Sequence, residues 1–497
     1  MRSAGRGEAR RPGSKDLGSG PRHAPLEGWG VARSRARASY GHLGADPEAS
    51  GASLGRAIAS ALVIALVFAA AAAGAVNAAE QVVAATLPNG LKVLLLEDHR
   101  SPVVTFQVWY KVGNRNEQLG RTGLSHLLEH MMFKGTPTHG PRVYSTLIEE
   151  NGGNENAFTT QDYTAYFVNI TADKLDVVLG LEADRMQNLT LDPKEFEAER
   201  QVVIEERRTR SDDSPVGALV EELHALAFKA HPYGWPIIGW MDDIRQLTVD
   251  DLRQYYRTYY VPNNAVVVAV GDFQARDLLR KIEAAFGKIP RGGDPAAVRS
   301  VEPGQRGERR LALKKEAQLP FVMIGYPVPN YRSPDSYALE VLSTLLSEGR
   351  ASRLYRRLVY EQEIARDAGG EYSRLSLDSD LFTFYAQVMP EKPVEEVEKA
   401  LMTEVERLKT EMVDEIELAR AKNQLEAAFL FQQDSVFARA RLLATYELAG
   451  GWPLMEAYRP GVRAVTREDL RRVAQTYFVP DHRNVALLLP INTDAKQ

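Results

Sequence analysis

One segment of this 497-residue chain carries more information than any other: Gly123-Leu124-Ser125-His126-Leu127-Leu128-Glu129-His130-Met131-Met132-Phe133-Lys134-Gly135-Thr136. Its apolar residues recur with helical spacing, so we expect a helix here. His126 and His130 are four residues apart, which puts both imidazoles on one face, where they can bind one zinc ion. Glu129 beside them can take a proton from water and pass it to a leaving amine. The segment therefore predicts the metal-bearing part of a hydrolytic site.

Taken alone, the His-x-x-Glu-His pattern is weak evidence, because it arises by chance in roughly one chain in a hundred of this length. The alternative is a pair of surface or capped histidines on an ordinary helix. Composition narrows the choice of ligands. The chain has no cysteine, so any zinc must be bound by His, Asp or Glu. A net charge of -5 gives no basic surface for nucleic acid.

The regions around this helix alternate between strand and helix patterns. Residues 91–96 read as a strand after the turn at Leu87-Pro88-Asn89-Gly90, and residues 103–112 read as its antiparallel neighbour. A long charged helix is expected over residues 193–211, where Asp192 and Pro193 suit a helix N-terminus. The pattern indicates an α+β fold.

The chain also repeats itself. Residues 247–253 resemble residues 465–471 at an offset of 218, and both segments lead through Tyr-aromatic-Val-Pro into an apolar strand. Residues 291–308 are rich in Gly, Pro and charge and suit a linker. The alternative, chance similarity of common helix–turn–strand units, does not explain the constant offset. We therefore predict two homologous α+β domains, residues 80–290 and 309–492.

The first 80 residues differ from the rest. Residues 1–56 lack apolar periodicity and suit a disordered extension, either removed or the result of a start codon assigned too far upstream. Residues 57–78 are an almost unbroken apolar run that ends in Val76-Asn77-Ala78, which suits a secretory signal peptide. An uncleaved membrane anchor is the alternative. Both predict a periplasmic or secreted protein, anchored to the inner membrane in the second case.

The segment quoted above resembles the active-site helix of the pitrilysin family, the inverted zinc peptidases that include the mitochondrial processing peptidase. By this resemblance the third zinc ligand is Glu206, which follows His130 by 76 residues. Glu199, seven residues earlier, would orient a ligating histidine. Physical reasoning favours Glu206 over Glu205, because residues 199, 202, 203 and 206 share one helical face. Two histidines and one carboxylate leave the fourth position open for water.

The resemblance extends over about residues 83–490 and implies further features. Family members use an Asn-Ala-x-Thr strand beside the zinc to pair with substrate, which implies that Asn156 and Ala157 contact the peptide backbone. It also implies that each half is a mostly antiparallel sheet with helices packed on one face. The chain would then be half of a clamshell, since active members join four such domains.

The second half departs from the family in two ways. Aligning Gly349 with Gly135 puts three other residues opposite the metal motif, so we expect one zinc ion per chain: Glu340, Ser343 and Thr344. Active assemblies also usually bring an Arg and a Tyr to the substrate from a C-terminal half, and the corresponding positions here hold Val359 and Arg366. We therefore expect a heterodimer in which a paralogous subunit without zinc supplies that pair. A homodimer is the alternative.

These patterns together predict a zinc-dependent endopeptidase that cleaves peptides or unfolded protein segments, with Glu129 as general base. The alternative is a non-catalytic scaffold or assembly subunit that keeps the peptidase fold. The complete set of His126, Glu129, His130 and Glu206 argues against that alternative.

Overall fold

The computed structural model describes residues 81–491, so the extension and the signal or anchor segment predicted over residues 1–56 and 57–78 lie outside the described residues. Among residues 81–491 no helix is both long and apolar enough to cross a membrane. Six strands build the first sheet: β1 (Val83–Thr86), β2 (Lys92–Glu97), β3 (Val103–Tyr110), β4 (Asn154–Thr159), β5 (Thr164–Thr171) and β6 (Ala265–Gly271). Their order is β1-β2-β6-β3-β5-β4.

The centre of this sheet corrects one expectation. Residues 103–112 were expected beside residues 91–96, but β6 lies between β2 and β3, parallel to the first and antiparallel to the second. All seven residues of β6 are buried. A continuous apolar run of this kind is typical of a strand covered on both faces, which is a central position.

The second sheet repeats this topology. Its five strands are β7 (Arg309–Lys315), β8 (Phe321–Val328), β9 (Ala365–Tyr372), β10 (Asp380–Val388) and β11 (Asn484–Pro490). Their order is β7-β11-β8-β10-β9, with β7 and β11 parallel and the other pairs antiparallel. β11 thus takes the place of β6, and β9 takes the edge place of β4. The predicted α+β fold with mostly antiparallel sheets is confirmed.

Fourteen α-helices occur among residues 81–491. The first half contains α1 (Leu124–Met131), α2 (Val143–Glu150), α3 (Leu175–Asn188), α4 (Pro193–Arg207), α5 (Pro215–Ala227), α6 (Met241–Gln246), α7 (Val249–Tyr259) and α8 (Ala275–Phe286). The second half contains α9 (Asp335–Ser347), α10 (Val394–Thr410), α11 (Glu415–Phe431), α12 (Val436–Ala449), α13 (Tyr458–Ala464) and α14 (Arg467–Tyr477). Most of them cover one face of their own sheet and form one large core per half.

The sequence repeat has a local structural basis in α7 and α14. Thr248 and Asp251 form a reciprocal capping box at the start of α7. Thr466 and Asp469 form the same box at the start of α14. A capping box satisfies two N-terminal backbone N–H groups at once, which explains why the Thr-x-x-Asp spacing recurs at both positions.

The other face of each sheet is covered by a helix from the opposite half. α12 places Ala440, Leu443 and Ala444 against the first sheet, where they meet Trp109 and Val268. In return, α5 places its apolar side chains against the second sheet. The sequence predicts helices on one face of each sheet, and the structure shows in addition that a helix of the opposite half covers the other face. This exchange follows from strands that are apolar on both faces, because both faces then have to be removed from water.

A buried ion pair holds one of the exchanged helices in place. Asp98, at the end of β2, lies with Oδ2 2.7 Å from the Arg439 guanidinium of α12 and 2.6 Å from that of Arg100. The hydrogen bond from Arg100, with Arg439 adding to it and burial opposing it, lowers the pKa of Asp98 to about 2. The Asp98 carboxylate is therefore ionised at pH values well above about 2.

We expect Asp98→Asn to lower the free energy of unfolding at pH 7 by about 1.5–3 kcal/mol, because it removes a charge-assisted bond to a buried arginine. A folded pKa below the usual 3.8 adds stability above that value, and this contribution is lost as pH falls toward about 2. The difference in the free energy of unfolding between the wild type and Asp98→Asn should therefore become smaller in acid. Urea titrations at several pH values measure it. The matched control is Asp277→Asn, which breaks the exposed pair with Arg280 and should change little. Equal losses in both variants would contradict the prediction.

Candidate metal centre

A buried carboxylate holds the start of α1. Glu117 accepts hydrogen bonds from the backbone N–H groups of Gly123 and Ser125, each 2.7 Å long. These are N-terminal groups that no helical carbonyl can reach, and Gly123 has no side chain with which to cap them. Gly123 itself has φ 92°, and a Cβ there would lie 2.7 Å from the Ile238 carbonyl oxygen. Glycine at this position therefore allows the helix to begin where it does.

All eight residues of α1 are buried, including those that carry the predicted chemistry. The apolar residues Leu127, Leu128 and Met131 pack into the first core and are fully covered. On the opposite side, the rings of His126 and His130 lie with their centroids 4.7 Å apart. The helix thus presents two imidazoles from a dry surface, as the four-residue spacing predicts.

α4 supplies two carboxylates to the same place. Its N-terminus is capped by Asp192, whose side chain accepts from the N–H groups of Lys194 and Glu195. The helix ends at Arg207 and passes into a π-helical turn over Arg208–Asp212, so the long helix expected over residues 193–211 is regular only in its first part. Glu199 is buried and Glu206 is half-buried, whereas Val202 between them is exposed.

Three side chains meet closely enough to hold one metal ion. One ligand atom each from His126, His130 and Glu206 lie within 4.8 Å of one another, and no other such group occurs among residues 81–491. The Nε2 atoms of His126 and His130 lie 3.6 and 3.3 Å from the Glu206 carboxylate oxygens. A tetrahedral zinc ion with bonds of about 2.0–2.1 Å separates its ligand atoms by about 3.3–3.4 Å. The donor types and their spacing therefore fit zinc.

Charged groups behind the cluster orient it. Glu199 lies 2.9 Å from His130 Nδ1 with one oxygen and 2.5 Å from Lys134 Nζ with the other. Burial raises the pKa of Glu199, but the His130 and Lys134 contacts outweigh burial and lower it to about 2. Glu199 is thus a carboxylate that fixes the ring of His130, so that Nε2 points toward Glu206.

Glu206 has a cationic neighbour of its own. Its Oε1 lies 2.6 Å from Nη1 of Arg210, which belongs to the π-helical turn. Burial opposes ionisation of Glu206, but contacts with His130, His126 and Arg210 lower its pKa to about 2. The carboxylate is therefore charged, as a metal ligand has to be.

Glu129 lies next to the cluster without forming part of it. Its side chain is buried, and its Oε2 accepts a 2.5 Å hydrogen bond from the hydroxyl of Thr159. Burial raises the pKa of Glu129 above its ordinary value, while His130 and the Thr159 hydroxyl oppose the shift. A carboxylate whose pKa lies closer to neutrality accepts and returns a proton more readily than an ordinary one.

The strand that carries Asn156 and Ala157 is β4, at the outer edge of the first sheet. It pairs with β5 on one side, and α1 packs beside it. Both residues are half-buried, and the Asn156 side chain accepts a hydrogen bond from the Ala157 N–H at 2.8 Å. The structure therefore places both predicted substrate residues at the edge of the sheet next to the metal cluster.

The second half has no counterpart of this cluster among the described residues. Glu340 is instead 3.1 Å from the buried guanidinium of Arg374 and 3.1 Å from the Tyr458 hydroxyl. Arg353 is paired with Glu417 at 2.7 Å, and Tyr360 is 76% exposed. Arg353 is therefore engaged in an ion pair within the second half, whereas Tyr360 is exposed to solvent.

Three contacts of the site were not predicted: those of Thr159, Lys134 and Arg210. Arg210 follows Glu206 by four residues, and this helical spacing is a signal that could have found it. Lys134 lies beyond the end of α1 and contacts Glu199 on α4, so its spacing from His130 does not indicate its partner. Thr159 is the Thr of the Asn-Ala-x-Thr strand, but its contact with Glu129, 30 residues away, depends on how β4 packs on α1, and the motif alone does not indicate it.

Two family descriptions match the chain. Residues 92–240 match the insulinase family, peptidase family M16, and residues 246–425 match the peptidase M16 inactive domain. The metal cluster lies in the first of these regions, and the second region contains Glu340, Ser343 and Thr344 in place of the metal motif.

Named relatives agree with this match. The chain is 34% identical over 409 residues to the zinc protease PqqE of Helicobacter pylori, covering 82% of this chain and 92% of that protein. It is 27% identical to a probable mitochondrial-processing peptidase subunit beta of Arabidopsis thaliana, covering 82% and 78% of the two chains. Among solved structures, a protease from Helicobacter pylori superposes with a TM-score of 0.80 at 34% identity, over 83% of this chain and 100% of that one.

Proposed function

The chain belongs to peptidase family M16, the insulinase family, and on this premise we propose that it is a zinc-dependent endopeptidase. The observation that carries the proposal is the convergence of His126, His130 and Glu206 within 4.8 Å, with Glu129 beside them. A scaffold subunit has no use for this set. The names of the relatives, several of which are called zinc proteases, support zinc as the metal.

In this proposal, His126, His130 and Glu206 would hold one zinc ion per chain, which would supply Lewis-acid chemistry at the scissile carbonyl and the attacking water. Glu129 takes the proton from that water and later delivers it to the leaving amine. Glu199 holds the His130 ring in the orientation that ligation requires. The buried surroundings of α1 exclude bulk water and strengthen these interactions.

We further propose that β4 binds the substrate as an added strand. An edge strand recognises backbone rather than side chains, so this mode selects extended peptides or unfolded segments. In this mode Asn156 and Ala157, which are half-buried on this edge strand beside α1, would contact the peptide backbone. The Asn156 side chain, which now accepts the Ala157 N–H, would have to release it to the peptide.

We also propose that the active species is a heterodimer with a paralogous subunit that lacks zinc, a homodimer being the alternative. The presence of Val359 and Arg366 where family members have the Arg and Tyr supports this proposal. The partner would supply the positive charge and the hydroxyl that stabilise the developing oxyanion. A periplasmic location, either free or anchored, rests on the apolar run at residues 57–78.

The test is a zinc assay combined with cleavage of an internally quenched peptide, on the full chain with and without a co-expressed, similarly sized paralogue. We expect one zinc ion per chain and cleavage by the pair that a chelator removes and added zinc restores. Full activity from the chain alone would contradict the heterodimer. A pair that binds zinc but cleaves no peptide would favour the assembly-subunit alternative.

A further inference from the structure

Thr159 joins the edge strand to the residue that we expect to act as base. It is the last residue of β4, and its hydroxyl is buried 2.5 Å from Glu129 Oε2. Ala157, two positions earlier, projects from the same face of the strand and packs against the first core. The strand proposed to bind substrate and the carboxylate proposed to act on water are therefore in direct contact.

The direction of this hydrogen bond follows from its surroundings. A second hydroxyl, that of Thr164 on β5, lies 3.5 Å from the Thr159 hydroxyl. Thr164 donates its own proton to the Val112 carbonyl oxygen at 2.9 Å. A hydroxyl has one proton, and an ionised carboxylate can only accept. The proton of Thr159 is therefore directed at Glu129.

The turn after Thr159 is fixed as well. Thr160 accepts from the backbone N–H groups of Asp162 and Tyr163, and Asp162 accepts from the Leu377 N–H of the second half and from the Tyr233 hydroxyl. A β-branched side chain on a strand anchored in this way has little rotational freedom. Oε2 of Glu129 is thereby held in one place.

We propose that Thr159 is a positioning residue that sets the orientation of the Glu129 carboxylate and couples it to the strand on which the peptide lies. The inference rests on the proposed function. It adds Thr159, a residue whose role neither the composition nor the helical spacing of the chain indicates. Its role is to hold the base, not to touch the substrate. Loss of the hydroxyl should therefore slow turnover and leave peptide binding and zinc binding intact.

The test compares Thr159→Val with Thr159→Ser in the zinc-loaded pair of subunits, using a quenched peptide as probe. For the Val variant we expect kcat to fall about 10–100-fold with KM within about threefold of wild type, because a misplaced catalytic group slows chemistry more than binding. The Ser variant should recover most of the kcat. In a Glu129→Gln background the Val change should cost nothing further, because the group that it positions is already absent.

The matched control is Thr164→Val, which removes a buried hydroxyl from the neighbouring strand without touching Glu129. Thermal melts and zinc content are measured for every variant. An equal loss of kcat in the Thr159 and Thr164 variants, or an unchanged kcat in Thr159→Val, would overturn the inference. A wild-type pair that binds zinc and cleaves nothing would overturn the proposed function, and with it this inference. Failure of the inference alone would appear only in the variants, with a wild-type pair that is active.

Discussion

Glu129→Gln should abolish peptide cleavage and leave zinc bound. The change keeps the shape of the side chain and an oxygen that can accept the Thr159 hydroxyl, so the buried site has no reason to collapse. It removes a carboxylate that lies beside the cluster without belonging to it. Loss of a general base costs about 10²–10⁴-fold in rate, and a neutral amide has no capacity to take the proton.

The measurement is kcat/KM for a quenched peptide together with zinc per chain by mass spectrometry. Wild-type zinc content with cleavage below about one part in a hundred is the expected result. A variant that has lost zinc would show that Glu129 is needed for metal binding and would make it part of the ligand set. Cleavage at the wild-type rate would refute the proposed mechanism outright.

Glu206→Gln should lose zinc, whereas Glu205→Gln should keep it. The two residues are adjacent in sequence, but Glu206 faces both histidines and Glu205 forms an exposed pair with Arg208. A neutral amide is a much poorer ligand than a carboxylate, and two histidines alone do not make a structural or catalytic zinc site. We expect the zinc dissociation constant of Glu206→Gln to rise by more than about 100-fold, beyond the 10–100-fold typical of residues that only orient a ligand.

Competition with a chromophoric chelator measures both dissociation constants, and activity should follow zinc content in each variant. Because Glu205 is on the same helix and has the same chemistry, it controls for loss of charge and for helix stability. Tight zinc binding by Glu206→Gln, or loss of zinc from Glu205→Gln, would mean that the ligand set has been assigned incorrectly.

Much of the site could be anticipated because it is built from helices. The spacing of His126 and His130 determines their common face, and the shared face of Glu199 and Glu206 on α4 follows from the same periodicity. The structure brings these four residues together as expected. Their roles in binding and orienting zinc remain predictions for the experiments above.

What could not be anticipated depends on contacts between distant segments. The position of β6 between β2 and β3 is decided by which apolar strand can be covered on both faces, and this is a property of the whole sheet. Val202 shares a helical face with Glu199 and Glu206 but is exposed, which helical periodicity alone does not predict. The Thr159 contact likewise depends on how β4 packs against α1.

The exchange of α5 and α12 has a consequence for how the chain moves. Each helix completes the hydrophobic core of the half to which it does not belong, so separating the halves would expose two apolar sheet faces at once. Because that exposure would cost free energy, we expect the two halves to stay together and to fold as one unit, neither half being an autonomous folding unit. In the proposed heterodimer, an opening that admits a peptide would then occur between the two subunits and not between the two halves of this chain.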